Sequence, residues 1–543
     1  MLNLGLIHES IAREIPEREA LVFRDRRLSW RELTDRTRCL SAVLTRHGLG
    51  CQRERSELEN WESGQDHVAL YLHNGNEYLE GMLGSFKARA VPFNVNYRYV
   101  DEELIHLFAD ADARAVIFHA CFAPVLDRIR GQLPKLQLLI QVADDSGLAL
   151  LPGAIDYEQV LREVEPSPPV SDLSADDLYI LYTGGTTGMP KGVLWRQEDI
   201  FQSALYARGS ASLESIVERA KKGGPRVLAA PPFMHGAAHW VAFNMWHVGG
   251  TVIVPSEVTR LDPADVWSTI EQEGATALTI VGDAFGRPLI DELRRGNYDV
   301  STLRLLTSGG AILTAALKSE FLDLVPDLRI LDALGSSESG TQASQYSERG
   351  GDITTGDFSL NPDSVVLRED LSGIVAPGSG ELGWLARGGR VPLGYYGDPK
   401  KTAATFPVVG GTRYAVPGDR ASIDSDGTLR LLGRDSVTIN TGGEKVFAEE
   451  VEHALKHHAA VYDAIVVPTP HERWGQQVTA LVLLREGERP SESALKQAAG
   501  EHIAAYKIPK KFIFVDEIVR SPSGKADYRW AKSRALEAMG AES

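Results

Sequence analysis

Short apolar runs alternate with longer amphipathic segments over most of the first 430 residues. DHVALYL, DLYILYT, TVIVP and LRLLTSGG have the length and side-chain types of buried strands. SWRELTDRTRCLSAVLTRHG and DEELIHLFADAD repeat their apolar positions with a helical period. Such alternation favours an α/β fold in which helices cover layered sheets, and we predict one large domain over residues 1–433.

The pattern begins anew after GRDSV at residues 433–437. A helix that carries Phe447, Val451, Ala454 and Leu455 on one face precedes the strands AIVV and VTALVLL, a second helix near 491–505 and the strand FIFV. This order predicts a small α+β domain over 438–543, with a hinge over 434–437. The polar stretches 51–66 and 165–172 are predicted to be a surface insertion and a linker.

Composition and charge narrow the class of protein. Hydrophobic residues make up 43% of the chain and charged residues 24%, which is typical of a folded globular protein. The formal charge of −17, without a long basic run, argues against a nucleic-acid partner. The three cysteines lack the spacing of a disulfide framework or a zinc finger, which favours a reducing compartment.

Targeting signals are not recognisable in the sequence. The first 20 residues carry four glutamates rather than a basic segment followed by an apolar one, so they do not resemble a signal peptide. No apolar run reaches the roughly 18 residues that a membrane span needs. We therefore expect a cytoplasmic protein with no transmembrane anchor and at most peripheral membrane contact.

The stretch LYTGGTTGMPKG, residues 181–192, combines glycines with hydroxyl side chains. DLYILYT is predicted to be a strand and WRQEDIFQSALYA a helix, so the glycines lie in a loop between them. Glycines allow the backbone to approach a ligand, hydroxyls can bind phosphate oxygens, and Lys191 adds a positive charge. A Walker loop is excluded because Gly192, and not Ser or Thr, follows Lys191.

The whole stretch resembles the phosphate loop of the adenylate-forming superfamily, which contains acyl-CoA synthetases, luciferases and the adenylation domains of peptide synthetases. Further motifs follow in the family's order, so the resemblance covers nearly the whole chain. It implies a large N-terminal adenylate-forming domain and a small mobile C-terminal domain, with ATP and Mg²⁺ as cofactors. The resemblance assigns phosphate contacts to Thr183, Gly184, Gly185, Thr186, Thr187, Gly188 and Lys191.

Two further segments resemble the family's nucleotide-binding loops. SGGA supplies Ser308, Gly309, Gly310 and Ala311 to the adenine loop, and LGSSE supplies Leu334, Gly335 and Ser336. The resemblance then places the Ser337 hydroxyl on a phosphate and assigns Glu338 and Thr183 to magnesium. Leu334 stands where the family has a stacking aromatic residue, and Gly184 where it often has serine.

Later motifs resemble the ribose and catalytic segments. YAVPGDR places Asp419 where the family binds the ribose, and a carboxylate can accept two hydrogen bonds from a cis-diol. Arg434, in GRDSV, resembles the arginine that shares the ribose. Lys525, in SPSGK, resembles the lysine that bridges the substrate carboxylate and the α-phosphate during adenylation.

The resemblance implies a reaction in two halves. A carboxylate attacks the α-phosphate of ATP to give an acyl-adenylate and pyrophosphate, and a thiol then displaces AMP. Between the halves the small domain rotates about a hinge residue, which we count as Ser436. Rotation would withdraw Lys525 and present Gly442 and Gly443 to the pantetheine arm of coenzyme A.

The segment 231–250 resembles the wall of the acyl pocket. It is rich in aromatic residues and methionine, and it lacks the fixed carboxylate that binds an amino-acid substrate. We predict a hydrophobic carboxylic acid in contact with Phe233, Met234, His235, Trp240 and Phe285. NVNYRYV, GDAFGRPL and GGEKVFAEEVE resemble actinobacterial ligases of fatty acids and steroid side-chain acids, and both substrate classes stay open.

Several alternatives stay open or are disfavoured. His235 and His239 lack the glutamate of HExxH and a third ligand, which disfavours zinc. HHAAVYD has the wrong spacing for a condensation motif. A free-standing ligase that loads a carrier protein, and a silent acyl- or nucleotide-binding protein, remain alternatives to a CoA ligase, and a homodimer stays open.

Overall fold

The computed structural model describes residues 2–183, 189–206, 211–441, 444–471, 474–522 and 524–540. The helices of these residues are α1 (Leu4–Glu14), α2 (Trp30–Arg46), α3 (Asn76–Lys87), α4 (Asp101–Asp110), α5 (Ala123–Ile129), α6 (Tyr157–Glu163), α7 (Gln197–Ile200), α8 (Leu213–Lys221), α9 (Gly236–Trp246), α10 (Pro263–Glu273), α11 (Gly282–Arg295), α12 (Ala315–Leu324), α13 (Pro399–Thr405), α14 (Ala448–Lys456), α15 (Glu492–Gly500) and α16 (Tyr528–Gly540).

The strands are β1 (Glu19–Phe23), β2 (Arg26–Ser29), β3 (His67–Tyr71), β4 (Val91–Asn94), β5 (Ala113–His119), β6 (Leu138–Val142), β7 (Ile155–Asp156), β8 (Leu178–Thr183), β9 (Lys191–Arg196), β10 (Arg226–Ala229), β11 (Thr251–Val254), β12 (Ala277–Ile280), β13 (Leu305–Gly309), β14 (Arg329–Ser336), β15 (Gly340–Glu348), β16 (Asp357–Leu360), β17 (Ser364–Arg368), β18 (Gly383–Arg387), β19 (Gly394–Tyr395), β20 (Val408–Val409), β21 (Thr412–Arg413), β22 (Asp419–Ile423), β23 (Thr428–Arg434), β24 (Thr438–Thr441), β25 (Glu444–Phe447), β26 (Val461–His471), β27 (Gly475–Leu484) and β28 (Lys511–Val515).

Helices cover layered sheets, as the alternation predicts. The largest sheet has the order β17-β18-β22-β23-β16-β15-β14-β13-β12-β10-β11-β1-β2, and its run from β14 to β1 is parallel. A parallel sheet, β4-β3-β5-β6-β7, an antiparallel one, β19-β9-β8, and the antiparallel pair β20-β21 also belong to the large unit. Strands β24 to β28 form a separate sheet. The predicted fold class, a large α/β domain with a small C-terminal domain, is confirmed.

Local sequence signals explain where several elements begin. Ser29 caps α2 by accepting a hydrogen bond from the Glu32 amide, and the Glu32 carboxylate accepts one from the Ser29 amide. Buried aromatic side chains, Trp30, Trp246 and Trp267 among them, fill the apolar layers between helices and sheets. Within the described residues, no helix is long and apolar enough to cross a membrane.

The predicted helix over WRQEDIFQSALYA is wrong at its start. Lys191–Arg196 forms β9, which pairs antiparallel with β8, and the helix begins only at Gln197. The glycine-rich stretch therefore connects two strands rather than a strand and a helix. Val193, Leu194 and Trp195 are all fully buried, so the strand shows none of the polar and apolar alternation that would have indicated it.

Candidate active site

The predicted adenine loop and the second nucleotide segment lie next to each other. Strands β13 and β14 are parallel neighbours, with Gly309 opposite Ala333, so both segments emerge at the same edge of the sheet. Gly310 follows β13 with φ +86°, a backbone conformation that favours glycine. A Cβ atom on Gly310 would lie 3.8 Å from Cε of Lys525, so the SPSGK loop reaches this edge.

The backbone and side chain of the 334–338 segment are anchored by residues from elsewhere in the chain. The Tyr395 hydroxyl donates a hydrogen bond of 2.8 Å to Oε1 of Glu338. The Trp195 indole donates one of 2.8 Å to the Ser337 carbonyl. Burial and the Glu338 charge raise the pKa of Tyr395, so its hydroxyl stays protonated and can donate. Glu338 is thus held in a fixed orientation beside Ser337.

Asp419 and Arg434 are cross-strand partners at one end of the β22–β23 hairpin. Nε of Arg434 lies 3.3 Å from Oδ1 of Asp419, and Asp419 is buried. The Asp419 carboxylate is the main cause that raises the pKa of Arg434. The pair therefore offers both a hydrogen-bond acceptor and a fixed cation at one place, as a ribose contact needs.

Lys525 shares a cleft with these charged groups. The side chain remains accessible to solvent, yet the surrounding protein atoms and the Arg434 guanidinium lower its pKa, against the opposing effects of Glu338 and Asp419. One cleft thus brings together four charged groups that interact electrostatically: Lys525, Glu338, Asp419 and Arg434.

The strand that leads into the predicted phosphate loop is β8. Asn94 holds its end, because its side chain accepts a hydrogen bond from the Tyr182 amide and donates to the Tyr182 and Met234 carbonyls. Thr183 is the last residue of β8. The predicted phosphate contacts at Gly184, Gly185, Thr186, Thr187 and Gly188 lie outside the described residues.

Lys191 points toward carboxylates. Its Nζ lies 3.7 Å from Asp110 and 3.6 Å from Asp398, with 28% of the side chain exposed. Neither carboxylate belongs to the four-group cleft, so the structure does not bring Lys191 together with Lys525. Its predicted phosphate contact stays a prediction.

The predicted acyl-pocket residues fall into two groups. Phe233 and Met234 are fully buried in the apolar core, and the half-buried Trp240 donates its indole hydrogen to the Tyr179 hydroxyl, 2.8 Å away. Phe285 instead lines a cavity of about 220 Å³ between the large domain and the SPSGK loop. Ala284, Tyr97, Pro232 and Gly524 also line this cavity, and Arg98, Glu257 and Arg260 bring charge to it.

The two histidines of this segment have different surroundings. Nδ1 of His239 lies 2.7 Å from the Phe233 carbonyl, and Nε2 contacts the Tyr179 hydroxyl, so both ring nitrogens are occupied within the protein. His235 precedes α9, and its Nε2 is shielded from solvent without a hydrogen-bond partner among the described residues. Burial, followed by the charge of Lys525, lowers the pKa of His235 to about 3. His235 is therefore a neutral neighbour of the cleft.

Sequence analysis placed Ser436 at the hinge and gave Gly442 and Gly443 to the pantetheine arm. Ser436 lies in the short 3₁₀ turn 435–437 between β23 and β24. Gly442 and Gly443 lie outside the described residues. The structure also adds Asn94, Trp195 and Tyr395 to the site. Asn94 and Trp195 stand in the quoted stretches NVNYRYV and WRQEDIFQSALYA, from which sequence analysis gave them no site role, and Tyr395 stands in none of the quoted stretches.

Comparison with known proteins places the chain in a family. Residues 8–396 match the family described as AMP-binding enzyme, and residues 450–525 match the AMP-binding enzyme C-terminal domain. The first match spans more than half of the chain. The chain belongs to the AMP-binding enzyme family.

Relatives and solved structures agree with this placement. The chain is 49% identical over 537 residues to the medium-chain acyl-CoA ligase Mig of Mycobacterium avium, covering 98% of both chains. It is 39% identical over 549 residues to a 3-oxocholest-4-en-26-oate–CoA ligase of Rhodococcus rhodochrous, covering 98% of this chain and 96% of that one. The fold is similar to the anthranilate CoA ligase AuaEII in complex with anthranoyl-AMP, with a TM-score of 0.83, 24% identity and coverage of 99% and 98%.

Proposed function

We propose that the protein is an ATP-dependent, AMP-forming acyl-CoA ligase that activates a hydrophobic carboxylic acid, either a medium- or long-chain fatty acid or a steroid side-chain acid. The observation that carries the proposal is the convergence of Lys525, Glu338, Asp419 and Arg434 in one cleft. The 49% identity to a medium-chain acyl-CoA ligase supports the choice of reaction, and the 39% identity to a steroid-acid ligase supports the second substrate class.

In the first half-reaction a carboxylate must approach the triphosphate of ATP, so two anions repel each other. The Lys525 ammonium can lie between the carboxylate and the α-phosphate and follow the charge as it moves between oxygens. Asp419 and Arg434 would hold the ribose, and the segments 308–311 and 334–336 would enclose the adenine. Attack forms the acyl-adenylate and releases pyrophosphate.

The residues around Glu338 suit a magnesium ion bound together with substrate phosphates. Mg²⁺ in proteins commonly takes one or two carboxylates along with phosphate and water oxygens, and Glu338 with the Thr183 hydroxyl would offer protein donors to it. The Ser337 hydroxyl would bind a phosphate. When bound, the ion would offset phosphate charge. Tyr395 contributes by fixing the orientation of the Glu338 carboxylate.

In the second half-reaction, the thiol of coenzyme A must reach the acyl-adenylate at the place that the Lys525 side chain occupies in this structure. We propose domain boundaries at 433 and 438, with rotation about Ser436 in the intervening turn withdrawing Lys525. Gly442 and Gly443 would then face the pantetheine arm of coenzyme A. The thiol would displace AMP from the acyl-adenylate, so that the acyl carbon exchanges its bond to phosphate oxygen for one to sulfur.

Mass spectrometry of the products tests this function. The protein is incubated with ATP, Mg²⁺ and CoA and a panel of acids: medium- and long-chain fatty acids, a steroid side-chain acid, an aromatic acid and an amino acid. We expect an acyl-CoA and AMP from a fatty or steroid acid. Adenylate or AMP without thioester would indicate a carrier protein as acceptor, and no turnover with any acid would favour a silent binding protein.

A further inference from the structure

A salt bridge joins the two domains next to the cleft. Asp283, near the start of α11 in the large domain, lies 3.7 Å from Nζ of Lys456, near the end of α14 in the small domain. Only 15% of the Asp283 side chain and 16% of the Lys456 side chain are exposed. The Thr314 amide donates a hydrogen bond of 2.8 Å to Oδ1 of Asp283, which fixes this carboxylate within the large domain.

The same lysine continues into a series of contacts that ends at Lys525. Nζ of Lys456 lies 3.1 Å from Oδ1 of Asp463, which also accepts two hydrogen bonds from Arg520, of 2.7 and 2.8 Å. A third Arg520 nitrogen donates a hydrogen bond of 3.1 Å to the carbonyl of Gly524, the residue before Lys525. The side chains of Asp283, Lys456, Asp463 and Arg520 thus form a continuous series of contacts from the large domain to the backbone beside Lys525.

The groups in this series stabilise one another as ions. Burial lowers the pKa of Lys456, but Asp463 and Asp283 outweigh it and leave the pKa raised. Burial raises the pKa of Asp463, but Lys456 and Arg520 outweigh it and hold the pKa below its ordinary value. Charge pairs that are largely removed from water interact more strongly than exposed pairs, and loss of one partner leaves the other uncompensated.

We propose that Asp283 is the docking residue for the small domain, and that the series Asp283, Lys456, Asp463 and Arg520 couples docking to the position of Lys525. These are positioning residues, because none of them needs to touch the substrate. Within this series, only the link between Asp283 and Lys456 crosses between the domains, so it is the member that must break when the small domain rotates. A second ion pair between the domains, Lys445 with Glu369 at 3.2 Å, is more exposed to solvent. The catalytic consequence rests on the proposed function, but the docking consequence does not.

Asp283→Asn tests the docking link. Asparagine keeps an oxygen that can accept from the Thr314 amide, but it loses the charge that faces Lys456. The matched control is Asp323→Asn, which removes a carboxylate that lies 3.8 Å from Arg349 and is 76% exposed in the large domain. Arg520→Lys is the second variant, since lysine keeps the charge but cannot bind Asp463 with two nitrogens and Gly524 with a third.

The first readout is the distance between two spin labels and needs no substrate. Labels at the exposed Asp327→Cys and Glu537→Cys report on the large and the small domain, in a chain whose three natural cysteines are replaced by serine. We expect Asp283→Asn to reduce the docked population at least threefold, and Asp323→Asn and Arg520→Lys to leave it unchanged. An unchanged distribution in Asp283→Asn would overturn the proposal.

The second readout separates the half-reactions with dodecanoate as the probe acid. We expect Asp283→Asn and Arg520→Lys to slow formation of dodecanoyl-adenylate about 5- to 10-fold, while transfer from supplied dodecanoyl-adenylate to CoA changes less than twofold. Equal slowing of both steps would contradict a positioning role. If the unmodified protein activates no acid at all, the proposed function fails while the distance measurement still decides the docking proposal.

Discussion

At the scale of single residues, the Tyr395 hydroxyl is the contact that fixes the proposed magnesium ligand. A hydrogen bond to a charged group contributes about 1.5–3 kcal/mol, which corresponds to a rate effect of roughly 10- to 100-fold if it is needed throughout the first half-reaction. We predict that Tyr395→Phe slows adenylate formation about 10-fold or more and raises the Mg²⁺ concentration needed for half-maximal rate. Initial rates of pyrophosphate release across a magnesium titration measure both effects.

Tyr396→Phe is the matched control for this prediction. The Tyr396 hydroxyl donates a hydrogen bond of 3.0 Å to the carboxylate of Asp112, not to that of Glu338. It should therefore lose little of the adenylation rate. If Tyr395→Phe and Tyr396→Phe behave alike, the hydroxyl on Glu338 has no special part in the reaction.

The residues that sequence analysis found and those it missed differ in a physical way. Lys525, Glu338 and Asp419 stand in contiguous motifs that resemble those of a known family, and the resemblance implies their roles. Tyr395 and Asn94 act through hydrogen bonds to partners 57 and 88 residues away, so only the tertiary fold reveals them. Lys191 itself stands in a motif, but its neighbours Asp110 and Asp398 come from distant segments, so only the tertiary fold reveals these contacts.

At the scale of elements, α9 and the residue that follows it carry buried histidines. Burial lowers the pKa of His239 and of His247 to about 4. An unfolded histidine titrates near 6.5, so below about pH 6.5 the unfolded chain binds more protons than the folded one. Folding stability must therefore fall as the pH falls from about 6.5 toward 4.

His247→Asn tests this acid sensitivity. Nδ1 of His247 lies 2.7 Å from the Leu205 carbonyl, and an asparagine amide can donate there without titrating. We predict that each such histidine lowers the free energy of unfolding by about 2 kcal/mol when the pH falls from 7 to 5. In His247→Asn, the free energy of unfolding should fall by about 2 kcal/mol less over the same pH range. Denaturant unfolding at the two pH values measures it.

His47→Asn provides the comparison for α9. His47 also follows a helix and also has Nδ1 near a backbone carbonyl, 2.9 Å from Val43, but it is exposed. Its replacement should leave the pH dependence of stability nearly unchanged. If the free energy of unfolding changes equally with pH in His247→Asn and in the unmodified protein, the buried ring does not control acid stability.

Strand and helix positions were predictable where the sequence shows a helical period or a compact apolar run. The helical period of SWRELTDRTRCLSAVLTRHG marks α2, and apolar runs mark β3, β8, β11 and β13. Strand β9 was missed because its short apolar run, Val193, Leu194 and Trp195, leads directly into WRQEDIFQSALYA, the stretch that was predicted to be a helix. The β24–β25 hairpin was missed because β24 pairs with β27, where Thr441 lies opposite Gly475, 34 residues farther along the chain.

At the scale of the whole molecule, two units meet around one cleft. The restart of the hydrophobic pattern after residue 437 predicted the small domain, and its sheet β24–β28 is separate from the large one. The order of thirteen strands in the large sheet could not be predicted, because it joins segments from both ends of the large domain. The docked orientation could not be predicted either, because its contacts, such as Asp283 with Lys456 and Glu369 with Lys445, join segments that lie far apart in the sequence.

The measurement that tests the account most directly is the rate of each half-reaction in Lys525→Ala. The variant should form dodecanoyl-adenylate about 10²- to 10³-fold more slowly, because a fixed cation at the reacting oxygens is lost. It should transfer the acyl group from supplied dodecanoyl-adenylate to CoA within about twofold of the unmodified rate, because the proposed rotation withdraws Lys525 before that step. An equal loss in both half-reactions would contradict the division of labour between the two orientations of the small domain.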